Sequence, residues 1–134
     1  MIGILIISHG DLGNSLINCA NHVMGKRPEN LVHLGITIQD DPDVITLNAL
    51  ELLKQLDCGD GVLVLSDICG ATPCNIATEL VSPGRVECLS GVNLSMLIRA
   101  LTYRDKSLES LVEKALSGGK EGVMRIYSRS DNAN

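Results

Sequence analysis

Gly61-Val62-Leu63-Val64-Leu65-Ser66-Asp67-Ile68-Cys69-Gly70-Ala71-Thr72-Pro73 is the stretch that decides the fold. Val62–Leu65 is a continuous aliphatic run and not an alternating one, the pattern of a strand buried on both faces. Thr72-Pro73 places an N-cap residue before a proline suited to the first helical position, so a helix begins there. Only a short, mostly polar loop separates the two. Strand, brief loop and helix in that order are the building unit of an α/β sheet.

Working outward, the same unit recurs. Ile2–Ile7 and Leu31–Ile36 read as further buried strands, and Arg85–Leu89 as a weaker one. Helix-length segments with apolar residues three and four apart lie between and after them. They are Leu12–Met24 (Leu12, Leu16, Cys19, Ala20, Val23), Val44–Leu56 (Val44, Leu47, Leu50, Leu53), Thr72–Val81 and Leu94–Tyr103. Asp41-Pro42 is a second cap-and-proline helix entry, and Gly25 and Gly84 punctuate helix exits. A further helix spans Leu108–Leu116 and is closed by Gly118-Gly119, and Val123–Tyr127 reads as a last strand. The expectation is an α/β three-layer sandwich: a mostly parallel sheet, helices on both faces, and an antiparallel edge strand at the C-terminus. Residues 1–127 form one domain in this reading and residues 128–134 a polar tail.

Composition narrows the function. The chain has 134 residues, 45% of them hydrophobic, with no Phe, no Trp and two Tyr, so its core is aliphatic. Base-stacking side chains are scarce, and a formal charge of −5 opposes phosphate backbones, which argues against nucleic acid as a partner. The run Ile2–Ile7 is too short to insert into a membrane and lacks the flanks of a secretory signal, so a cytoplasmic protein is expected. Five cysteines, Cys19, Cys58, Cys69, Cys74 and Cys88, show no CxxC spacing, and in a reducing compartment they read as small buried hydrophobes.

In a parallel α/β sheet, ligands collect at the carboxyl ends of the strands. Those ends read Ser8-His9-Gly10-Asp11, Ser66-Asp67-Ile68-Cys69-Gly70-Ala71-Thr72 and Ser90-Gly91-Val92-Asn93. An imidazole such as that of His9 has a nitrogen lone pair at neutral pH and can serve as a nucleophile; the plainer alternative is a loop histidine. Gly10 beside it leaves room for a reacting group, and Ser8 has a hydroxyl nearby. His22 lies within a helix segment and His33 within a strand, which reads as structural in both cases. Asp67 ends the third strand, beside the first in such a sheet. Its carboxylate either orients the His9 ring by accepting from Nδ1–H or caps the local loop. Gly70, Ala71 and Thr72 open a helix whose N–H groups and positive dipole end suit a phosphoryl group. Cys69 is either a reactive thiol or a buried inert one. His9 and Asp67 alone are too few ligands for a metal, and neither GxxxxGK[ST] nor a GxGxxG after the first strand is present, so no metal or nucleotide cofactor is expected.

Taken together, Ile4-Leu5-Ile6-Ile7-Ser8-His9-Gly10, the stretch from Gly61 to Asn75, and Ser90-Gly91-Val92-Asn93-Leu94-Ser95-Met96-Leu97 resemble the mannose-family EIIA domain of the phosphoenolpyruvate-dependent sugar phosphotransferase system. The likeness runs from Met1 to about Tyr127. It implies a phosphotransferase working through a phosphohistidine on His9, which takes a phosphoryl group from the carrier HPr and passes it to an EIIB domain. It also implies that Asp67 orients the ring, that Gly10, Gly70, Ala71 and Thr72 surround the phosphate, and that the chain pairs as a homodimer through a C-terminal strand. Any membrane contact would be peripheral, through a permease complex. Two stretches depart from the family's habit: Gly70-Ala71-Thr72-Pro73 stands for Gly-Gly-Ser-Pro, and Asn93-Leu94-Ser95-Met96 for Asn-Leu-Pro-Met. Two other readings share the chemistry: the phosphotransfer subunit of a dihydroxyacetone kinase, and a regulatory module whose phosphorylation state a partner reads.

Overall fold

The computed structural model describes residues 1–68 and 71–130. Four strands, β1 (Gly3–His9), β2 (Leu31–Ile36), β3 (Val62–Ser66) and β4 (Val86–Leu89), form one sheet in the order β2-β1-β3-β4. Every pairing is parallel, with Ile4 opposite Leu31 on one side and Leu63 on the other. The connecting helices are α1 (Leu12–Met24), α2 (Pro42–Leu56), α3 (Thr72–Leu80), α4 (Leu94–Thr102) and α5 (Leu108–Glu121).

Side chains alternate across a strand, so β1 and β3 feed two separate cores. Ile4, Ile6, Leu63 and Leu65 pack with α1, α4 and α5, whereas Leu5, Ile7, Val62 and Val64 pack with α2 and α3. That is the expected three-layer arrangement. It also explains why both strands are aliphatic without a break: neither face of the central pair meets water.

The buried faces of α1 and α2 match the expected ones only at Ala20 and Leu53 among the fully buried residues. In α1 the residues fully buried are Gly13, Ile17 and Ala20, and Leu12 and Val23 are exposed. In α2, Ile45, Ala49, Leu53 and Leu56 are buried, and Val44, Leu47 and Leu50 are exposed. Both helices turn their small residues to the sheet: a Cβ on Gly13 would lie 3.0 Å from the Cβ of His33. Close approach outweighs the count of large apolar residues on a face.

Two expectations at the C-terminal end are corrected. Gly118-Gly119 does not close α5, which continues to Glu121. A Cβ on Gly118 would sit 2.6 Å from the Cβ of Arg99, and one on Gly119 2.7 Å from Cε of Met96, so these glycines let α5 lie directly on α4. The antiparallel edge strand at Val123–Tyr127 is absent; these residues are irregular and exposed, because nothing within the described chain pairs with them. A third correction is local. Ala71, not Thr72, is the N-cap of α3, and Pro73 follows one position later than expected. Asp41 caps α2 as expected, its carboxylate accepting from the Asp43 N–H at 3.0 Å. The cysteines are not uniformly buried: Cys19 and Cys58 are exposed, Cys74 and Cys88 are half-buried, and Cys69 lies outside the described residues.

At the amino ends of the strands the sheet is closed by Arg104, 4% exposed. Its guanidinium donates to the carbonyls of Ile2, Glu29 and Asn30, tying the starts of β1 and β2 to the loop after α4.

Candidate active site

Parallel pairing puts the carboxyl ends of β1 and β3 side by side, with Ile7 opposite Ser66. The next residues of each strand are therefore adjacent, and His9 and Asp67 meet there. Nδ1 of His9 lies 2.7 Å from Oδ2 of Asp67, and the backbone N–H of His9 donates to the same oxygen at 2.8 Å. The His9 side chain is 55% exposed and that of Asp67 only 10%. Burial alone would raise the Asp67 carboxyl, yet the hydrogen bonds from the backbone and ring of His9 outweigh it and hold the group below its ordinary value. An ionised Asp67 accepts from Nδ1–H, which leaves Nε2 as the nitrogen with the lone pair.

The surrounding backbone fixes this pair. Gly10 adopts φ +50 and donates its N–H to the Ile36 carbonyl at 2.9 Å, turning the chain sharply after His9. That turn rests on Gly35 of β2, where a Cβ would stand 2.2 Å from the Gly10 carbonyl oxygen. Asp67 is latched from the other side: its carbonyl accepts from the Gly91 N–H at 2.6 Å and from the Ser90 hydroxyl at 3.3 Å. Gly35 is a supporting residue that sequence reasoning did not single out, whereas Ser90 and Gly91 were read at a strand end and in a family-like stretch without a role of their own.

Other expected residues are placed as follows. Ser8 is fully buried and accepts the Gly13 N–H at 2.8 Å, so it serves the start of α1 and does not face the His9 ring. Thr72 is exposed at the first residue of α3, behind a half-buried Ala71, and Ala71 as N-cap offers no side-chain capping hydrogen bond. Gly70 lies outside the described residues. His22 is on the last turn of α1 and His33 on β2, both away from His9. Among the described residues no three His, Cys, Asp or Glu side chains come together as a metal site.

The His9 ring is more than half exposed. A cavity of about 600 Å³ is lined by Gly84, Glu87 and residues of α5, away from the imidazole. Leu12, Ile38 and Ile68, which follow the ends of β1, β2 and β3, are all exposed. An exposed imidazole whose Nδ1 is held by a carboxylate, at the sheet end that also carries exposed apolar residues, is suited to group transfer with a macromolecule.

A family model described as EIIA-man, PTS system fructose IIA component, matches residues 3–116. The chain belongs to the EIIA-man family. This family supplies phosphoryl carriers of the sugar phosphotransferase system. Against the mannose-specific EIIAB component of Escherichia coli K12 the chain is 30% identical over 131 residues, 96% of its own length and 40% of that protein. The chain thus spans well under half of that curated relative. It is 28% identical over 106 residues to the fructose-specific EIIA component of Bacillus subtilis, covering 78% of this chain and 72% of that one. The crystal structure of a phosphotransferase system EIIA component from Streptococcus agalactiae superposes with a TM-score of 0.83 at 25% identity, covering 93% of this chain and 97% of that one. Sugar phosphotransferase components are favoured over the two other readings, the dihydroxyacetone kinase subunit and the purely regulatory module. No helix among the described residues is long and apolar enough to cross a membrane.

Proposed function

We propose that this EIIA-man domain carries its phosphoryl group on Nε2 of His9, receiving it from HPr and handing it to an EIIB domain. The observation that carries this reading is the 2.7 Å contact of Nδ1 with a buried Asp67 while the ring itself stays exposed. In the forward step the Nε2 lone pair attacks phosphorus, the N–P bond on the donor's phosphohistidine breaks, and the donor leaves with a neutral imidazole. Positive charge developing on the His9 ring is offset by the Asp67 carboxylate. Phosphoryl transfer of this kind needs in-line positioning and charge stabilisation, and every group for it is a side chain or a backbone N–H of the two proteins.

Gly10, Gly70, Ala71 and Thr72 complete the site as the phosphate surround. The start of α3, where the N-cap Ala71 makes no side-chain capping bond, supports this, since N–H groups and the helix dipole favour an anion, and the Thr72 hydroxyl adds a donor. The exposed Leu12, Ile38 and Ile68 support docking of a protein partner, whose apolar surface they would cover. Residues 1–127 act as one EIIA unit with 128–134 as its tail, working in the cytoplasm and reaching the membrane only through a permease complex. The exposed Val123, Met124, Ile126 and Tyr127 support a homodimer in which this segment of each copy finds a strand partner on the other.

Incubation with phosphoenolpyruvate, enzyme I and HPr, followed by intact-mass measurement at neutral or alkaline pH, tests the central claim. One acid-labile phosphoryl group is expected on the wild type and none on His9→Ala. A gain that persists in His9→Ala would refute it.

A further inference from the structure

A cluster of thiols lies beside the His9 site and has no part in the chemistry above. Between α3 and β4 is a cavity of about 170 Å³ whose wall includes Cys74, Cys88, Ala77 and the buried Ser66. The Cys88 thiol donates to the Ala77 carbonyl at 3.2 Å, one turn along α3 from Cys74. Both cysteines therefore border the same small space between α3 and β4.

We infer that Cys74 and Cys88 are a modification site, a dithiol pair that a hydroperoxide closes into a disulfide. The two thiols have different roles. Cys74 sits in the first turn of α3, where the positive helix end favours a thiolate. Burial, with Glu87 and Cys74 adding to it, pushes the Cys88 thiol up to about 12. Cys74 is the attacking sulfur and Cys88 the resolving one. With hydrogen peroxide, the Cys74 thiolate takes one oxygen as the O–O bond breaks, giving a sulfenic acid and hydroxide, which the displaced proton neutralises. Cys88 sulfur then bonds Cys74 sulfur as the S–O bond breaks, and hydroxide leaves with the Cys88 proton as water. The pair loses two electrons and the peroxide gains them.

The position of the pair gives the bond a consequence. Cys74 follows Thr72 by two residues, and Cys88 precedes Ser90 by two, the residue whose hydroxyl holds the Asp67 carbonyl. A disulfide would tie the start of α3 to the end of β4, the two segments that frame Asp67 and the proposed phosphate surround. Phosphoryl acceptance would then fall on oxidation, a consequence that rests on the reading of His9 above.

The test treats the purified full chain with hydrogen peroxide, blocks remaining thiols, and maps the peptides by mass. Expected are the loss of two hydrogens, a Cys74–Cys88 linked peptide, and its reversal by dithiothreitol. A variant carrying Cys19→Ser, Cys58→Ser and Cys69→Ser should lose the same mass, and Cys74→Ser or Cys88→Ala should form no link. A wild type that keeps all its thiols, or that links Cys74 to Cys69, overturns the site. In a second arm the disulfide form should accept phosphoryl groups from HPr roughly five-fold more slowly or worse, recovering on reduction. An unchanged rate in the cross-linked protein overturns the effect on transfer. If the reduced protein accepts no phosphoryl group, the His9 reading fails, and the mapped link still decides the thiol pair.

Discussion

A single carboxylate oxygen of Asp67 receives both the backbone N–H and the ring Nδ1 of His9, at 2.8 and 2.7 Å. Main chain and side chain of one residue are thereby fixed by one atom of another. Asp67→Asn disturbs both contacts. An amide N–H facing Nδ1 selects the other tautomer and protonates Nε2, so phosphoryl acceptance should fall by about two orders of magnitude or more. Rapid-quench transfer from phosphorylated HPr measures it, with circular dichroism to show an intact fold. Rates within a factor of about two of wild type would remove Asp67 from the mechanism.

The same pair predicts a pH dependence of stability. The folded-state value of Asp67 lies below its ordinary 3.8, so its contribution is present above that pH and is lost as pH falls through the lower folded value. Thermal melts between neutral pH and strongly acidic pH should show wild type losing Tm more steeply in the acid range than Asp67→Asn. Parallel curves would mean that the folded protein does not favour the Asp67 carboxylate.

Gly35→Ala tests the turn beneath His9. The added Cβ meets a backbone carbonyl at 2.2 Å, which has no flexible end to swing aside. A cost of about 1–3 kcal/mol is expected in urea unfolding, together with slowed phosphoryl acceptance as Gly10 is pushed outward. Gly25→Ala is the control. Gly25 has φ +75 with no atom within 4 Å of its would-be Cβ, at the far end of α1, so about 1 kcal/mol should be lost with transfer unchanged. Equal transfer rates in both variants would contradict the role given to Gly35.

Gly118→Ala probes the seam between α4 and α5. Alanine raises helix propensity by about 1 kcal/mol over glycine, so an exposed site would be stabilised. Here the Cβ falls 2.6 Å from the Cβ of Arg99, and net destabilisation is expected instead. A rise in the urea midpoint would show that the seam is looser than described.

Deleting residues 123–134 tests the dimer. The full chain should sediment as a dimer at micromolar concentration and the shortened chain as a monomer. A full chain that sediments as a monomer would leave the exposed Val123–Tyr127 segment without that role.

Sequence and structure agree best where the physics is local. The span of α1, Leu12–Met24, and of β2, Leu31–Ile36, follows from periodicity and flanking glycine or polar residues alone. The pairing of His9 with Asp67 was legible for a topological reason: both stand just past parallel strands that a doubly wound order places side by side. What was not legible depends on distance between backbones. Gly35 looks like any strand glycine until the Gly10 carbonyl is seen against it, and the faces of α1 and α2 were assigned only in part because Gly13 and Ala49 contribute nearness, not bulk. Gly118-Gly119 failed similarly, since a helix stop and a helix contact have the same spelling in sequence.

Arg104 gives the molecule a direction. By filling the amino end of the sheet with a guanidinium that donates to three backbone carbonyls, it anchors one pole, and the His9–Asp67 pair stands at the opposite one. On the reading proposed for His9, donor and acceptor would meet the same ring in turn, so release of one partner before the next arrives would limit turnover as much as the transfer step itself.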